Sequence, residues 1–297
     1  MKLTIIGSTG SFPGPSSPAS CYLVSAHDGE RPWRILLDLG SGSLGVLQRY
    51  MDLKDIDGVF LSHLHPDHCM DLCGLHVAVR WDPAGWGRDR IKVWGPADTA
   101  TRMATAYGLE LDPGMNEEFD FINWTPREVV ELGPFRITAY PVRHPTTEAY
   151  AIRVEATEDI FGGIRTSVLT YSGDTDSCEG LVEAAQDADL FLCEAAFEEG
   201  RDDAIEGIHL TGKRAGEAAT EAGVRRLLLT HIPVWTDTNT VINEAAEVYS
   251  GGLAAAVSGV TYGVLSGDRL EPPKTSAMSR IPAPKTTTRP LPILPQQ

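Results

Sequence analysis

The sequence has no apolar run that approaches the ~20 residues a membrane-spanning helix requires. At its start, Met1–Ser8, the apolar stretch ends after two isoleucines, whereas a secretory signal carries an apolar region of about 7–15 residues. Cysteine is also scarce, with five residues scattered at positions 21, 69, 73, 178 and 193. An odd and scattered set argues against a disulfide framework and fits a reducing compartment. These absences predict a cytoplasmic protein without a membrane anchor.

Basic residues are also few compared with acidic ones. The 297 residues include 25 Lys+Arg and 41 Asp+Glu, which gives a formal net charge of −16. The basic residues form no cluster or stripe of the kind that long RNA or DNA needs to offset phosphate repulsion. The composition therefore disfavours a long nucleic acid as partner. It leaves open a small anionic substrate whose charge is neutralised by bound metal.

One domain boundary is visible in the composition. Residues 271–297 contain seven prolines and no aromatic residue. Such a segment cannot bury enough apolar surface to offset its ordering entropy, so we expect a disordered tail. Residues 1–270 carry a net charge of −19 and are long enough for one large domain. The sequence thus predicts a single folded domain over 1–270, and it is compatible with a homodimer.

Short apolar strands alternate with amphipathic helices along this domain. Strands are predicted at Lys2–Ile6, Cys21–Ser25, Arg34–Asp38, Gly58–Ser62, 91–94, 134–142, 148–155, 166–171, 189–194, 226–230 and 260–265. Helices are predicted at Asp67–Arg80, 98–108, 178–187, 210–222 and 240–249. Because strands outnumber helices and short turns join several of them, the pattern predicts a layered α/β protein with mixed sheets.

The strongest chemical signal is the segment Ser62–His68. His63, His65, Asp67 and His68 fall within six positions, directly after an apolar strand. Imidazole and carboxylate groups together suit zinc and neighbouring transition metals. In an extended or turning backbone, His63 and His65 point to one side while Asp67 and His68 reach another. The spacing therefore predicts two adjacent metal ions rather than one.

This H-x-H-x-D-H pattern after a strand resembles the signature of the metallo-β-lactamase fold. Three later positions match the family's remaining ligands in order: His144 after an apolar strand, Asp174 within Thr170–Thr175, and His231 after Leu229-Thr230. The resemblance covers residues 1 to about 266. It implies an α/β (α+β) fold, a four-layer αββα sandwich of two mixed β-sheets flanked by helices.

The resemblance also implies a ligand set and a hydrolytic chemistry. The set is His63, His65 and His144 for one divalent ion, Asp67, His68 and His231 for the other, and Asp174 between them. Zinc is the expected metal, with manganese and iron as alternatives. Asp38, before Gly40–Ser43, resembles the aspartate of the family's Asp-Gly turn and would orient a ligand imidazole. The alternative is an ordinary turn residue.

Two further segments resemble motifs of ribonuclease Z-like phosphodiesterases. Gly207–Thr211 matches their H-[ST] motif, and Cys193–Phe197 matches their H-E-A-T-F segment except at two positions. By this resemblance His209 is the general acid that protonates the leaving oxygen, Glu194 is its partner, and Asp67 is catalytic as well as a ligand. Independently, an alkoxide that leaves near pH 7 needs a proton donor, and imidazole titrates in that range.

The departures from ribonuclease Z itself decide the predicted substrate. Only 30 residues separate His144 from Asp174, which leaves no room for the Gly/basic arm by which that enzyme grips tRNA, and its P-x-K-x-R-N loop is absent. Lys2–Gly7 and Ser17–Val24 instead resemble the atypical bacterial cyclic-nucleotide phosphodiesterases. We therefore predict hydrolysis of a small cyclic nucleotide, 3′,5′-cAMP to 5′-AMP. The alternative is a ribonuclease Z-like RNA 3′-end endoribonuclease.

Other hypotheses carry less support. Thioester and lactone hydrolases need no dedicated acid histidine, so the His209 motif counts against them. A metal-binding interaction protein without activity would lack ligands or the acid, yet all of these positions are occupied. Trp81 and Trp86 flank a Pro-Gly loop that has two interpretations, a base-stacking lid at the site entrance or plain packing.

Overall fold

The structure is a computed structural model that describes residues 1–160 and 163–264. The predicted boundary at residue 270 and the Pro-rich segment 271–297 lie outside the described residues. The strands are β1 (Lys2–Gly7), β2 (Cys21–His27), β3 (Pro32–Leu37), β4 (Gly58–Phe60), β5 (Ile91–Gly95), β6 (Phe119–Asn123), β7 (Val129–Leu132), β8 (Phe135–Pro141), β9 (Tyr150–Ile160), β10 (Gly163–Tyr171), β11 (Leu190–Glu194), β12 (Arg226–Thr230), β13 (Gly252–Ala255) and β14 (Thr261–Gly263). The helices are α1 (Ser43–Leu47), α2 (Pro66–Cys69), α3 (Leu72–Trp81), α4 (Thr99–Tyr107), α5 (Glu179–Ala185), α6 (Gly212–Glu221) and α7 (Thr238–Val248), with a 3-10 turn at Leu53–Asp55.

Two mixed sheets of seven strands face each other. The first has the order β14-β1-β2-β3-β4-β5-β6 and the second has the order β13-β12-β11-β10-β9-β8-β7. Their facing sides bury a shared apolar core that includes Ile5 and Phe60 from the first sheet and Ile152 and Leu192 from the second. Burial of this core removes large apolar surfaces from water and holds the sheets together.

Helices cover both outer faces. Leu72 and Leu75 of α3 pack with Leu36 and Val59 on the outside of the first sheet. On the second sheet, α5, α6 and α7 contribute Leu181, Ala215 and Val241 to a cluster with Phe191 and Leu227. The order of layers is therefore helix, sheet, sheet, helix, and the predicted four-layer sandwich is confirmed. Across the described residues the longest helix, α7, has 11 residues, and none has the length and hydropathy needed to cross a membrane.

The local predictions differ from the structure in one helix, in three strands and in the short helix α1, which was not predicted. The predicted helix Asp67–Arg80 is two helices, α2 and α3, because Asp71 lies between them and is held by the segment 39–44, which includes the start of α1. Its carboxylate accepts backbone N–H groups of Gly42 and Leu44, at 3.1 and 2.7 Å, and its own N–H donates to the carbonyl of Leu39. Strands β6, β7 and β13 were not predicted. Strand β13, Gly-Leu-Ala-Ala, lacks the β-branched and aromatic residues on which such predictions depend.

The topology collects the carboxyl ends of several strands at one edge. Strands β10, β11 and β12 are mutually parallel. Strand β8 is antiparallel to β9, which is antiparallel to β10, so β8 also runs in their direction. Functional groups in open α/β sheets lie outside such carboxyl ends. The long hairpin β9–β10 occupies most of the interval between His144 and Asp174, as the short spacing predicted.

Candidate dinuclear metal centre

The first motif begins in the turn after β4, with His63 and His65, and ends within α2, with Asp67 and His68. Strand β4 ends at Phe60, and His65 is the residue before the first turn of α2, where its backbone is extended. Pro66 at the first helical position suits a helix start, since proline lacks the N–H that would be unpaired there. His63 and His68 are fully buried. The turn therefore directs the motif side chains inward, toward the carboxyl ends of the second sheet.

One cluster combines His63, His65, His144 and Asp174, whose donor atoms all lie within 4.8 Å of one another. The Nδ1 of His65 is 3.2 Å from the Nε2 of His144, and the Nε2 of His63 is 3.7 Å from Oδ2 of Asp174. His144 donates from Nδ1 to the carbonyl of Ile208 at 2.8 Å, which leaves Nε2 facing the cluster. The structure thus brings together three histidines and one carboxylate.

A second cluster combines Asp67, His68, Asp174 and His231, with the same 4.8 Å limit. The Nε2 of His68 is 3.2 Å from the Nε2 of His231 and 3.2 Å from Oδ1 of Asp174. Oδ2 of Asp67 is 3.1 Å from the Nε2 of His231. Asp174 belongs to both clusters, with one carboxylate oxygen toward each. All seven predicted ligand positions therefore meet in two adjoining groups that share Asp174.

The protonation of the first cluster suits metal binding. Burial lowers the pKa of His63, His65 and His144 below the usual range of an imidazole. Neutral imidazole is the form that binds a metal. In addition, the Nε2 of His63 and Oδ1 of Asp174 are buried without a hydrogen-bond partner among the described residues. Unpartnered buried donors and acceptors are costly, and a divalent cation would satisfy them.

The carboxylates in and beside the second cluster need a positive charge to balance them. Burial lowers the pKa of His68, but the carboxylates of Asp174, Asp67 and Asp38 outweigh burial and raise that pKa well above its usual value. A divalent cation would balance the same carboxylates without a proton. The nitrogen and oxygen donors of both clusters fit zinc or a neighbouring divalent transition metal.

Asp38 contacts His68, the kind of imidazole contact that the resemblance to the family's Asp-Gly turn implied. Its Oδ2 accepts hydrogen bonds from His68 Nδ1, Ser62 Oγ and Tyr171 OH, each at 2.7 Å, and its Oδ1 accepts the N–H of Ser62 at 2.7 Å. The carboxylate is fully buried. It fixes the tautomer of His68 and leaves Nε2 for the cluster. Sequence reasoning missed Tyr171, because a tyrosine within an apolar strand carries no sign of this contact.

Asp38→Asn is expected to weaken metal affinity about 10–100-fold, because the amide cannot accept all of these hydrogen bonds and releases the ring of His68. Asparagine tolerates the left-handed backbone of Asp38, at φ 58°. A competition titration against a chelator measures the change, with circular dichroism to confirm folding. Tyr171→Phe removes a single donor and should have a smaller effect. Unchanged affinity in both variants would contradict the orienting role.

His209 and Glu194 form a pair next to the two clusters. The Nδ1 of His209 donates to Oε1 of Glu194 at 2.8 Å, and the His209 ring lies 5.3 Å from the ring of His144 and 5.4 Å from that of His231, between centroids. Burial lowers the pKa of His209, but the Glu194 carboxylate outweighs burial and raises the pKa to about 9. His209 is therefore held protonated near neutral pH, with Nε2 as its remaining donor.

Glu194 is committed to protein donors rather than to a metal. Its fully buried carboxylate accepts the N–H of Thr175 at 2.8 Å and those of Ala196 and Leu210 at 3.3 Å, besides His209. Its donor atom lies within 4.8 Å of those of His209 and His231, but these four hydrogen bonds use its acceptor capacity. The carboxylate is therefore placed to hold His209, and its catalytic role stays a prediction.

The backbone is left-handed just after two strands of the second sheet, at Gly173 after β10 and at His231 after β12. Gly173 precedes Asp174 at φ 59°, and a Cβ there would lie 2.6 Å from the carbonyl oxygen of Tyr150, so only glycine fits. His231 follows β12 at φ 55°, which costs a non-glycine residue about 1–3 kcal/mol and is typical of functional positions. These two bends direct the side chains of Asp174 and His231 into the second cluster.

The loop with Trp81 and Trp86 lies away from the clusters. Trp81 ends α3, which leads away from His68, and the loop joins α3 to the amino end of β5. The ligands lie at the opposite, carboxyl end of the parallel neighbour β4. Trp86 packs against the outer core of the first sheet. The interpretation of this loop as a lid at the site entrance is therefore wrong; the packing interpretation fits Trp86, whereas Trp81 is exposed.

Comparison with known proteins identifies the superfamily to which this fold and site belong. Residues 34–232 match the family model described as the beta-lactamase superfamily domain, so the chain belongs to the beta-lactamase superfamily. Together with the two His/Asp clusters, this membership makes it a metal-dependent hydrolase of the metallo-β-lactamase fold.

Individual relatives indicate the branch of the superfamily to which the chain is similar. An uncharacterized protein of Mycobacterium leprae is 42% identical over 273 residues, 91% of each chain. The probable metallo-hydrolase YhfI of Bacillus subtilis is 31% identical, over 88% of this chain and 99% of that protein. The crystal structure of YhfI superposes with a TM-score of 0.74 at 29% identity, over 88% of this chain and 98% of that one. Ribonuclease Z of Myxococcus xanthus is 27% identical, over 88% and 97%. The predicted ribonuclease Z-like branch is confirmed.

Proposed function

We propose that this chain is a dinuclear phosphodiesterase that hydrolyses a small cyclic nucleotide, 3′,5′-cAMP to 5′-AMP. The observation that carries the proposal is the hydrogen-bonded pair of His209 and the buried Glu194, at the edge of two donor clusters that share Asp174. Phosphodiester hydrolysis near neutral pH must protonate an alkoxide as it leaves. A histidine that a carboxylate holds protonated is suited to this task.

The residues divide the chemistry between them. His63, His65, Asp67, His68, His144, Asp174 and His231 would hold two divalent ions. Bound there, they would supply a water of lowered pKa and positive charge for the phosphodiester oxygens. Hydrolysis forms a bond between a water oxygen and phosphorus and breaks the bond between phosphorus and the ribose O3′. His209 donates its Nε2 proton to that leaving oxygen, and Glu194 holds the imidazole in place and stabilises its charge. Asp38 keeps His68 in its binding orientation throughout.

Charge and size favour a small substrate. The formal net charge is −16, which opposes a long polyanion. The β9–β10 hairpin consists of two paired strands, with partners from Gly163↔Ile160 to Tyr171↔Ile152, and it takes up the interval in which ribonuclease Z carries its tRNA-gripping arm. The 27% identity to ribonuclease Z keeps an RNA 3′-end endoribonuclease as the second candidate.

Other features belong to the same proposal. Zinc is its metal, with manganese and iron as alternatives, because the donors are imidazole and carboxylate. The catalytic domain is residues 1–270, and the location is cytoplasmic, as the composition predicted. A homodimer is compatible with these features.

Metal-reconstituted protein assayed on a panel of cyclic nucleotides and on precursor tRNA tests the proposal. We expect hydrolysis of cAMP or another cyclic nucleotide and no cleavage of the tRNA. Cleavage of precursor tRNA without turnover of any cyclic nucleotide would favour the endoribonuclease. Activity on neither substrate would overturn both candidates.

A further inference from the structure

Two aromatic rings and a valine lie exposed together on the surface. Phe12, Val234 and Trp235 are 42%, 51% and 59% exposed, and the ring centroids of Phe12 and Trp235 are 5.2 Å apart. We call the two rings the Phe12–Trp235 platform. Single exposed apolar residues are common, but a group of large ones marks a binding surface.

The platform is built on two segments that touch the ligand position His231. In the first, Gly10 packs so closely on His231 that a Cβ would lie 2.3 Å from its carbonyl oxygen, and the N–H of Ser11 is 3.4 Å from its Nε2. Phe12 follows directly. In the second, a turn closed by the Thr236 N–H and the Pro233 carbonyl, 3.0 Å apart, presents Trp235 four residues after His231.

The same turn connects the platform with the acid. The hydroxyl of Thr236 donates to the carbonyl of Ala196 at 3.0 Å. The next residue, Phe197, meets the His209 ring edge to face, with centroids 5.0 Å apart. The platform therefore lies on the side of the centre where His209 and His231 are adjacent.

We propose that the Phe12–Trp235 platform stacks the base of the nucleotide substrate, an inference that rests on the proposed function. The oxygen that His209 protonates belongs to the ribose, and the ribose carries the base. The base therefore projects from the metal centre on the side of His209, toward the exposed rings of Phe12 and Trp235. An aromatic ring accepts any base through its π-face, and stacking contributes about 1–3 kcal/mol per base.

A cavity of about 230 Å³ near His65 is the competing location for the base. Its lining includes Leu64, Pro96, Arg102 and Glu148. Pockets that hold a ligand of drug size span about 300–1,000 Å³, so this cavity admits part of a nucleotide at most. Its lining includes His65 but neither His209 nor His231, whereas the segments of the platform touch His231 and reach Phe197 beside His209. The path of the leaving ribose favours the platform.

The test compares Trp235→Ala with wild type on two substrates, cAMP and ribose 3′,5′-cyclic phosphate, which has no base. We expect KM for cAMP to rise about 5–150-fold, the range that corresponds to the stacking energy of one base, with kcat nearly unchanged. The base-free substrate should show no change, and Trp235→Phe should restore most of the affinity for cAMP. Trp81→Ala is the matched control, since Trp81 is 68% exposed at the far end of α3.

Binding of 5′-AMP gives a second readout that needs no turnover. We expect AMP to quench tryptophan fluorescence of the wild-type and Trp81→Ala proteins but not of Trp235→Ala. An equal rise in KM for both substrates, or a rise in Arg102→Ala instead of Trp235→Ala, would overturn the stacking proposal while leaving the phosphodiesterase in place. Failure of the wild-type enzyme on every cyclic nucleotide would overturn the proposed function, and the stacking proposal with it.

Discussion

His209→Ala is expected to lower turnover of cAMP about 10²–10⁴-fold, the usual contribution of a positioned general acid. Both ions should remain bound, because the two clusters are complete without this residue. Stability should stay close to that of the wild type, since the ring has its hydrogen bond to Glu194 at the rim of the centre rather than in the apolar core. Steady-state kinetics with elemental analysis of the same preparation provides the measurement.

A substrate with a different leaving group distinguishes a general-acid role of His209 from a metal-ligand role. Bis(p-nitrophenyl) phosphate releases p-nitrophenolate, which departs without protonation, so the loss in His209→Ala should shrink greatly on this substrate. Glu194→Gln should show the same selectivity with a smaller loss, because the amide still accepts a hydrogen bond but no longer stabilises the imidazolium. An equal slowing of both substrates, or loss of metal from His209→Ala, would show that His209 is a ligand or a structural residue.

Asp174→Ala is expected to reduce the metal content from about two ions per chain toward one or none. Asp174 offers one carboxylate oxygen to each cluster, so its removal takes an oxygen donor from both sites at once. Inductively coupled plasma analysis after dialysis measures the content, and hydrolysis should fall with it.

Asp189→Ala serves as the matched control for this variant. Asp189 is also a buried carboxylate of the second sheet, but it precedes the amino end of β11 and accepts the N–H of Val168 at 2.9 Å. We expect it to keep both ions, whatever its effect on stability. Retention of two ions by Asp174→Ala would refute the assignment of Asp174 as the shared ligand.

The sequence predicts most of the ligand positions because the chemistry is local. Four of the seven lie within Ser62–His68, whereas His144, Asp174 and His231 were identified by family resemblance, each after an apolar strand. The layered fold follows from the alternation of strands and helices. Family resemblance supplied the rest, the division of the ligands into two sets and the pairing of His209 with Glu194.

What the sequence does not predict depends on contacts between distant segments. Tyr171 contacts Asp38 across 133 residues, and no pattern within β10 indicates this. Phe12 and Trp235 meet because both of their segments fold onto His231, although they belong to opposite ends of the chain. The break between α2 and α3 depends on hydrogen bonds of Asp71 to an earlier loop. Such contacts exist only in the assembled fold.

The division of the proposed ligands between the two sheets would give bound ions a role in folding as well as in chemistry. Four of the proposed ligands follow β4 of the first sheet, and the other three follow strands of the second, with His65 and His144 separated by 79 residues and Asp67 and His231 by 164. Ions bound there would act as cross-links that close long loops. In the chain-entropy model, a covalent cross-link over 100 residues contributes about 4.7 kcal/mol. Chelation should therefore loosen the two halves of the sandwich at this edge first, and amide hydrogen exchange should accelerate there before the opposite edge responds.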